Sequence, residues 1–168
     1  MNKGMWVVGC FSFAAFALGS KPAQAVTMYA PSSDCRPYTS TDANNAAISY
    51  FDPGGTHHDG TWAVINNTVA VNFICSVRAT GPLTSVTMNV STTPAGWGIT
   101  GIWYNTVGQQ ISSTGGATSG GSGAQSMSFV PGNMSGPGMP NNAFSGSIIV
   151  KFNAGSMWSQ LFGFSYSY

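Results

Sequence analysis

Glutamate is absent from this chain, and charge of either sign is scarce. Beyond residue 25 the basic side chains are Arg36, Arg78 and Lys151, and the acids are Asp34, Asp42, Asp52 and Asp59. Enzymes that move protons or stabilise charge draw on positioned acids, bases and metal ligands. This inventory argues against catalysis, and no catalytic residue or cofactor is assigned. So little positive charge leaves no footprint for nucleic acid or anionic lipid. Nothing after the N-terminus approaches the roughly 18 apolar residues of a membrane span, so no transmembrane segment is expected. A 3.6-residue apolar period with caps is missing as well, and helix should be minimal.

What is present begins with a secretory pattern. Met1, Asn2 and Lys3 form a short basic start, Met5 to Leu18 an apolar run, and Ala23-Gln24-Ala25 a small-x-small cleavage site. Residues 1–25 are read as a signal peptide, with the mature chain starting at Val26. The rival is a lipoprotein signal at Val7-Val8-Gly9-Cys10, which would make Cys10 an acylated anchor, but the apolar run before that cysteine is short and continues past it. Removing Lys3 and Lys21 turns the whole-chain charge of +1 into about −1. A surface of Ser, Thr, Asn, Gln and Gly in place of charges invites self-association, because charge normally keeps monomers apart.

Two cysteines then remain, Cys35 and Cys75, in a compartment that permits disulfides. Neither lies in a C-x-x-C motif or beside basic residues that would activate a thiolate, except that Arg36 follows Cys35, so one structural bridge is expected. Along the chain the dominant period is two. Val69, Val71, Phe73, Cys75 and Val77 alternate with polar or small residues, as do Thr84, Val86, Met88 and Val90. The alternation returns from Ile99 to Tyr104 and from Ser147 to Phe152, and it places Phe162, Phe164, Tyr166 and Tyr168 on one face of a closing strand. Breakers at Asp52-Pro53-Gly54-Gly55, Gly81-Pro82, Thr93-Pro94-Ala95-Gly96 and Asn141-Asn142 separate these runs. The pattern predicts an all-β fold, an antiparallel β-sandwich or jelly roll of about eight strands. Ser112 to Ala124 and Pro131 to Asn142 are expected as mobile surface loops.

The run Cys35-Arg36-Pro37-Tyr38, the segment Trp62-Ala63-Val64-Ile65-Asn66-Asn67 leading to a strand that ends at Cys75, and the Ile-rich and aromatic closing strands resemble a family of small secreted bacterial β-proteins of unknown function. Ser76 departs from that pattern, which often has Pro there. The resemblance implies an extracellular β-sandwich and supplies no catalytic residues. The chain also resembles subunits of chaperone-assembled pili: its cysteines are 40 positions apart, Gly155 is fourteenth from the end, and the last strand alternates. The departure is Ser167 in the penultimate place, flanked by Tyr166 and Tyr168.

This organisation divides the mature chain into an extended arm, 26–34, and a sandwich, 35–168. Val26, Met28 and Ala30 share one face of the arm, which could be donated as a strand to a neighbour or form the first edge strand of its own domain. Other candidates are weaker. His57, His58 and Asp59, with Asp52 nearby, have metal-binding side chains but sit between glycines in an expected turn, and no metal is assigned. Asp52 and Asp59 could be the paired acids of a glycosidase, which normally need a deep cleft. Trp62, Trp97, Trp103, Trp158, Tyr38, Tyr50 and Tyr104 could stack on sugar rings or fill the core. Trp97 and Trp103, beside Gly-rich turns, are the first platforms to consider. Asn66, Asn89 and Asn133 stand in Asn-x-Ser/Thr sequons.

Taken together, the chain reads as a secreted structural protein, a self-assembling subunit of an extracellular fibre, pilus-like filament or surface matrix, whose partners are copies of itself. The alternative is a monomeric carbohydrate-binding module at the cell surface, with glycans as its partners.

Overall fold

The computed structural model describes residues 25–51, 57–66, 68–118, 121–132, 138–156 and 158–168, excepting the side chains of 49–51, 57–60 and 118. Residues 1–24, which hold all but the last residue of the expected signal and include Cys10, lie outside that set. The strands are β1 (Thr27–Pro31), β2 (Cys35–Pro37), β3 (Ala46–Phe51), β4 (His57–Val64), β5 (Val71–Arg78), β6 (Ser85–Thr92), β7 (Trp97–Tyr104), β8 (Gln110–Thr118), β9 (Gly123–Pro131), β10 (Gly138–Met139), β11 (Ser145–Phe152) and β12 (Gln160–Ser167). One short helix, α1 (Ser40–Asn44), and a 3-10 turn at Ser32–Asp34 complete the described elements. The all-β expectation holds, with twelve strands where about eight were expected.

Two sheets face each other. One has seven strands in the order β10-β9-β6-β12-β4-β3, with β1 also paired to β12, and the other has five in the order β2-β5-β11-β7-β8. Pairing is antiparallel except for the short β9–β10 contact. Period-two sequences build both sheets as physics requires, since alternate side chains leave opposite faces. Val71, Phe73, Cys75 and Val77 of β5 meet Val86, Met88 and Val90 of β6, Ile148, Val150 and Phe152 of β11, and Leu161 and Phe164 of β12 in one apolar interior. Ring pairs knit it together: Phe73 meets Phe152 edge-on at 6.1 Å, and Trp103 meets Phe129 at 5.0 Å. The expected disulfide is present, joining Cys35 of β2 to Cys75 directly opposite on β5.

The structure corrects several expectations. Ser112 to Thr118 lies in β8 and Gly123 to Ala124 in β9, because small residues let strands approach closely: a Cβ on Gly98 would stand 3.0 Å from the Gly116 carbonyl. Within the second expected loop, Gly138 and Met139 form β10, and residues 133–137, Asn133 included, lie outside the described set. The backbone of His57–Gly60 opens β4 rather than making a turn. The side chains of His57, His58 and Asp59, and all of Asp52, fall outside the described residues. In β12 a bulge between Leu161 and Gly163 breaks the alternation. Leu161 and Phe164 are both buried, so Phe162 does not share a face with Phe164, Tyr166 and Tyr168.

The arm is also reassigned. Residues 27–31 pair with Ser167 to Gly163 of the same chain, and Val26 exchanges two backbone hydrogen bonds with Tyr168. Residues 32–34 then cross from one sheet to the other. Val26, Met28 and Ala30 therefore belong to an edge strand of their own domain, the second of the two roles weighed for them.

One buried acid fixes the crossing on the far side of the bridge. Asp42 accepts hydrogen bonds from the Thr39 amide (2.9 Å) and hydroxyl (2.7 Å), and from the Asn72 amide (2.8 Å) and side chain (3.1 Å). Burial opposes its ionisation, but these four donors outweigh burial and hold its pKa below the ordinary carboxylate value. A depressed folded-state pKa contributes stability above the unfolded value, near 4, and loses it as pH falls through the folded one. Asp42→Ala should cost about 1–3 kcal/mol at pH 7 by stranding the donors. Urea titrations should show that cost shrinking as pH falls below about 4; an equal cost at pH 7 and in acid would contradict this role.

Candidate functional site

The outward faces of β5, β11 and β7 come together at one end of the five-stranded sheet. β11 pairs with β5 on one side and β7 on the other, so Arg78, Ser145 and Tyr104 form one row across three strands, and Ser76 and Ser147 stand in the next. Arg78 and Tyr104 are thus two strand spacings apart, roughly 10 Å. The same alternation that buries Val77, Trp103 and Gly146 turns these five side chains outward.

A lip rises beside them. The turn between β7 and β8 is tightened by the Asn105 side chain, whose Oδ1 accepts from the amides of Val107 (3.1 Å) and Gln109 (2.9 Å). Gly108, at φ 77°, supplies the left-handed residue the turn requires. On the other side, the Phe144 amide donates to the Tyr104 carbonyl and the Ala79 amide to the Phe144 carbonyl, anchoring the entry to β11. Between these walls lies an open cleft of about 630 Å³, bordered also by Thr80 and Thr106.

The chemistry of this cleft is narrow. It offers two half-buried aromatic rings, Tyr104 and Phe144, one guanidinium, and hydroxyls from Ser76, Thr80, Thr106, Ser145 and Ser147, with no Asp, Glu, His or Cys among the described residues of its lining. The hydroxyls and Arg78 make no hydrogen bond or ion pair among the described residues. Such a surface can stack against an apolar face and donate and accept hydrogen bonds.

The residues first considered as sugar platforms are placed otherwise. Trp97 and Trp103 are 0% exposed and belong to the core. Trp97 Nε1 donates to Gln125 Oε1 (2.7 Å) and Trp103 Nε1 to Thr114 Oγ1 (3.0 Å), so neither ring can meet a ligand. Trp62 packs against Phe73 and donates to the Cys35 carbonyl. Tyr38 is exposed beyond β2, and the side chain of Tyr50 lies outside the described residues. Trp158 is 53% exposed with φ 70°, its amide bonded to the Val64 carbonyl at the opposite end of the sandwich. Tyr104 alone of the seven lines the cleft. Among the sequons, Asn66 is engaged with Asn45 and Thr68, while Asn89 lies on β6.

Ser76, Arg78, Asn105, Ser145 and Ser147 were not expected as site residues. Parity with Cys75 and Val77 marks Ser76 and Arg78 as outward, but only the strand order shows what lies beside them.

Neither a protein-family model nor a curated protein sequence matches this chain. Solved structures do resemble it. The Glycosylation Associate Protein (Gap123) complex from Streptococcus agalactiae matches with TM-score 0.50 and 11% identity, over 84% of this chain and 44% of that one. The module CsCBM6-3 from Clostridium stercorarium, in complex with cellobiose, matches with TM-score 0.46 and 18% identity, over 82% and 90%. The low-affinity xylan binding module CBM86 from Roseburia intestinalis matches with TM-score 0.42 and 17% identity, over 84% and 94%. In three of the resembling structures this chain spans less than half of the other chain, 19%, 44% and 27%. Carbohydrate-binding modules recur among them. The fibre-subunit expectation is corrected here: the arm meant for a neighbouring copy is already paired within its own sheet. Among the described residues no helix is long and apolar enough to cross a membrane. The likeness to the Gap123 complex is one of fold alone, and the two sheets of this chain are themselves a β-sandwich.

Proposed function

We propose that this protein is a non-catalytic carbohydrate-binding module that acts outside the cell. The observation that carries the reading is the composition of the cleft, where Tyr104 faces a row of unengaged hydroxyls across two strand spacings. Saccharides present alternating C–H faces and hydroxyl edges, which an aromatic ring and a set of small polar side chains match. The volume suits a few sugar rings, since small-molecule sites commonly enclose roughly 300–1,000 Å³. Among the described residues, a lining without Asp, Glu, His or Cys favours holding a glycan over cleaving it. The Cys35–Cys75 bridge suits an oxidising, extracytoplasmic compartment.

The test is a soluble and insoluble polysaccharide panel, read by affinity electrophoresis and calorimetry. The protein should bind at least one polymer, and Tyr104→Ala should weaken that binding at least about 10-fold, the scale of one lost stacking contact, with the melting profile nearly unchanged. Full retention of affinity by Tyr104→Ala would place the glycan elsewhere, and failure to bind any polymer would end the reading.

A further inference from the structure

The cleft exposes one of this chain's few positive charges. Arg78 stands at one end of the Arg78–Ser145–Tyr104 row, and among the described residues nothing engages its guanidinium and no carboxylate lines the cleft to neutralise it. The other two cations beyond the first 25 residues lie on the same sheet face. Arg36 pairs opposite Ile74, and Lys151 pairs opposite Asn72 and Gly98, all at outward positions of strands whose alternate residues are buried. Both are exposed. Every Lys and Arg of residues 26–168 therefore points away from the core on one sheet. Of the acids, Asp34 sits in the crossing turn, Asp42, at the Asn72 end, is buried and occupied by its four hydrogen bonds, and the side chains of Asp52 and Asp59 lie outside the described residues.

Resting on the glycan-binding reading, we infer that the ligand is an acidic polysaccharide, with a uronate carboxylate on Arg78 and a sugar ring against Tyr104. A guanidinium presents a planar pair of N–H donors that matches a carboxylate at two points, a geometry that neutral hydroxyls do not offer. The roughly 10 Å between the two side chains leaves room for one sugar ring to reach both. Arg36 and Lys151 extend the favourable field along the strand direction, the direction in which a bound polymer would continue.

Three polyuronates, polygalacturonate, alginate and hyaluronan, are compared by calorimetry with their carboxyl-reduced forms, with a neutral polysaccharide panel, and with polyacrylate, which has carboxylates but no sugar rings. The inference expects at least one polyuronate to bind at least 10-fold more tightly than its reduced form. Arg78→Gln should erase that preference, and Arg78→Lys should restore only part of it. Because Arg78 is exposed, both variants should melt with the unaltered protein. Equal binding of acidic and reduced forms, lost in Tyr104→Ala but kept in Arg78→Gln, would overturn the acidic ligand while leaving the glycan reading intact. Polyacrylate binding as tightly as the polyuronates would also overturn it, by showing simple charge adsorption. Binding to no polysaccharide at all would overturn both.

Discussion

Replacing Cys35 and Cys75 together by alanine should lower the thermal midpoint by roughly 10 °C. The bridge closes a loop of 40 residues, and loop-closure entropy assigns that constraint about 4 kcal/mol of stabilisation. A domain of this size has only about 5–15 kcal/mol in total, and each kcal/mol moves the midpoint by about 2–4 °C. The position of the bridge strengthens the expectation. β2 is three residues long and lies at the edge of its sheet, held by β5 alone. The segment that leads into it carries the chain from one sheet to the other. Without the covalent link, that crossing relies on three residue pairs, the Trp62 amide bonded to the Ser32 hydroxyl and the Trp62 indole bonded to the Cys35 carbonyl, among other contacts. Calorimetry of the double variant checks this; a fall of less than about 2 °C would show that the loop is already confined by packing.

The second large effect separates the two possible roles of Trp103. Trp103→Ala should destabilise the protein by about 3–5 kcal/mol, the range for removing a buried indole. The ring lies between two glycines: Gly101 on its own strand and Gly146 directly opposite on β11. A Cβ built on Gly146 would stand 2.7 Å from the indole, so the backbone there has been kept bare to admit the ring. Phe129 meets its face edge-on and Thr114 takes its N–H, leaving no direction in which the core could relax without loss. Gly146→Ala should therefore also destabilise, by about 1–3 kcal/mol through overpacking. Gly81→Ala is the control. Its nearest contact is the Tyr168 ring at 3.5 Å, an ordinary separation, and its effect should be small. Chemical denaturation of the three variants measures these costs. A Trp103→Ala protein within 0.5 kcal/mol of the parent, the usual range for an exposed side chain, would return this residue to the surface.

Sequence periodicity made the central strands legible. Val71 to Val77, Val86 to Val90 and Ile148 to Phe152 alternate because one face of each is buried, and they fall in β5, β6 and β11. Parity with Ile99 already sets Trp97 and Trp103 on the inward face; the neighbouring glycines, which suggest an exposed turn, are in fact the space the rings occupy. The stretch from Ser112 to Ala124 misleads for the opposite reason. Its Gly and Ser residues have poor intrinsic strand preference, and their place in β8 and β9 is imposed by pairing with β7 and β6. The bulge at Gly163 is likewise set by a partner, because β12 changes neighbour there from β4 to β1.

The cleft was the least legible feature. Arg78, Tyr104 and Ser145 are far apart in the chain, and none stands in a motif. They become a site only because β11 inserts between β5 and β7, a strand order that no local pattern encodes. With so few cations, the face on which all of them gather is conspicuous only once the strands are in place.

The most direct measurement is residue-by-residue NMR of the isotope-labelled protein titrated with the oligosaccharides of whichever polymer it retains. The account predicts amide shifts concentrated at Ser76, Arg78, Tyr104, Asn105, Ser145 and Ser147, saturating together with one dissociation constant. Shifts gathered instead around Trp158 at the other end of the sandwich, or along β1 and the outer face of β12, would contradict it.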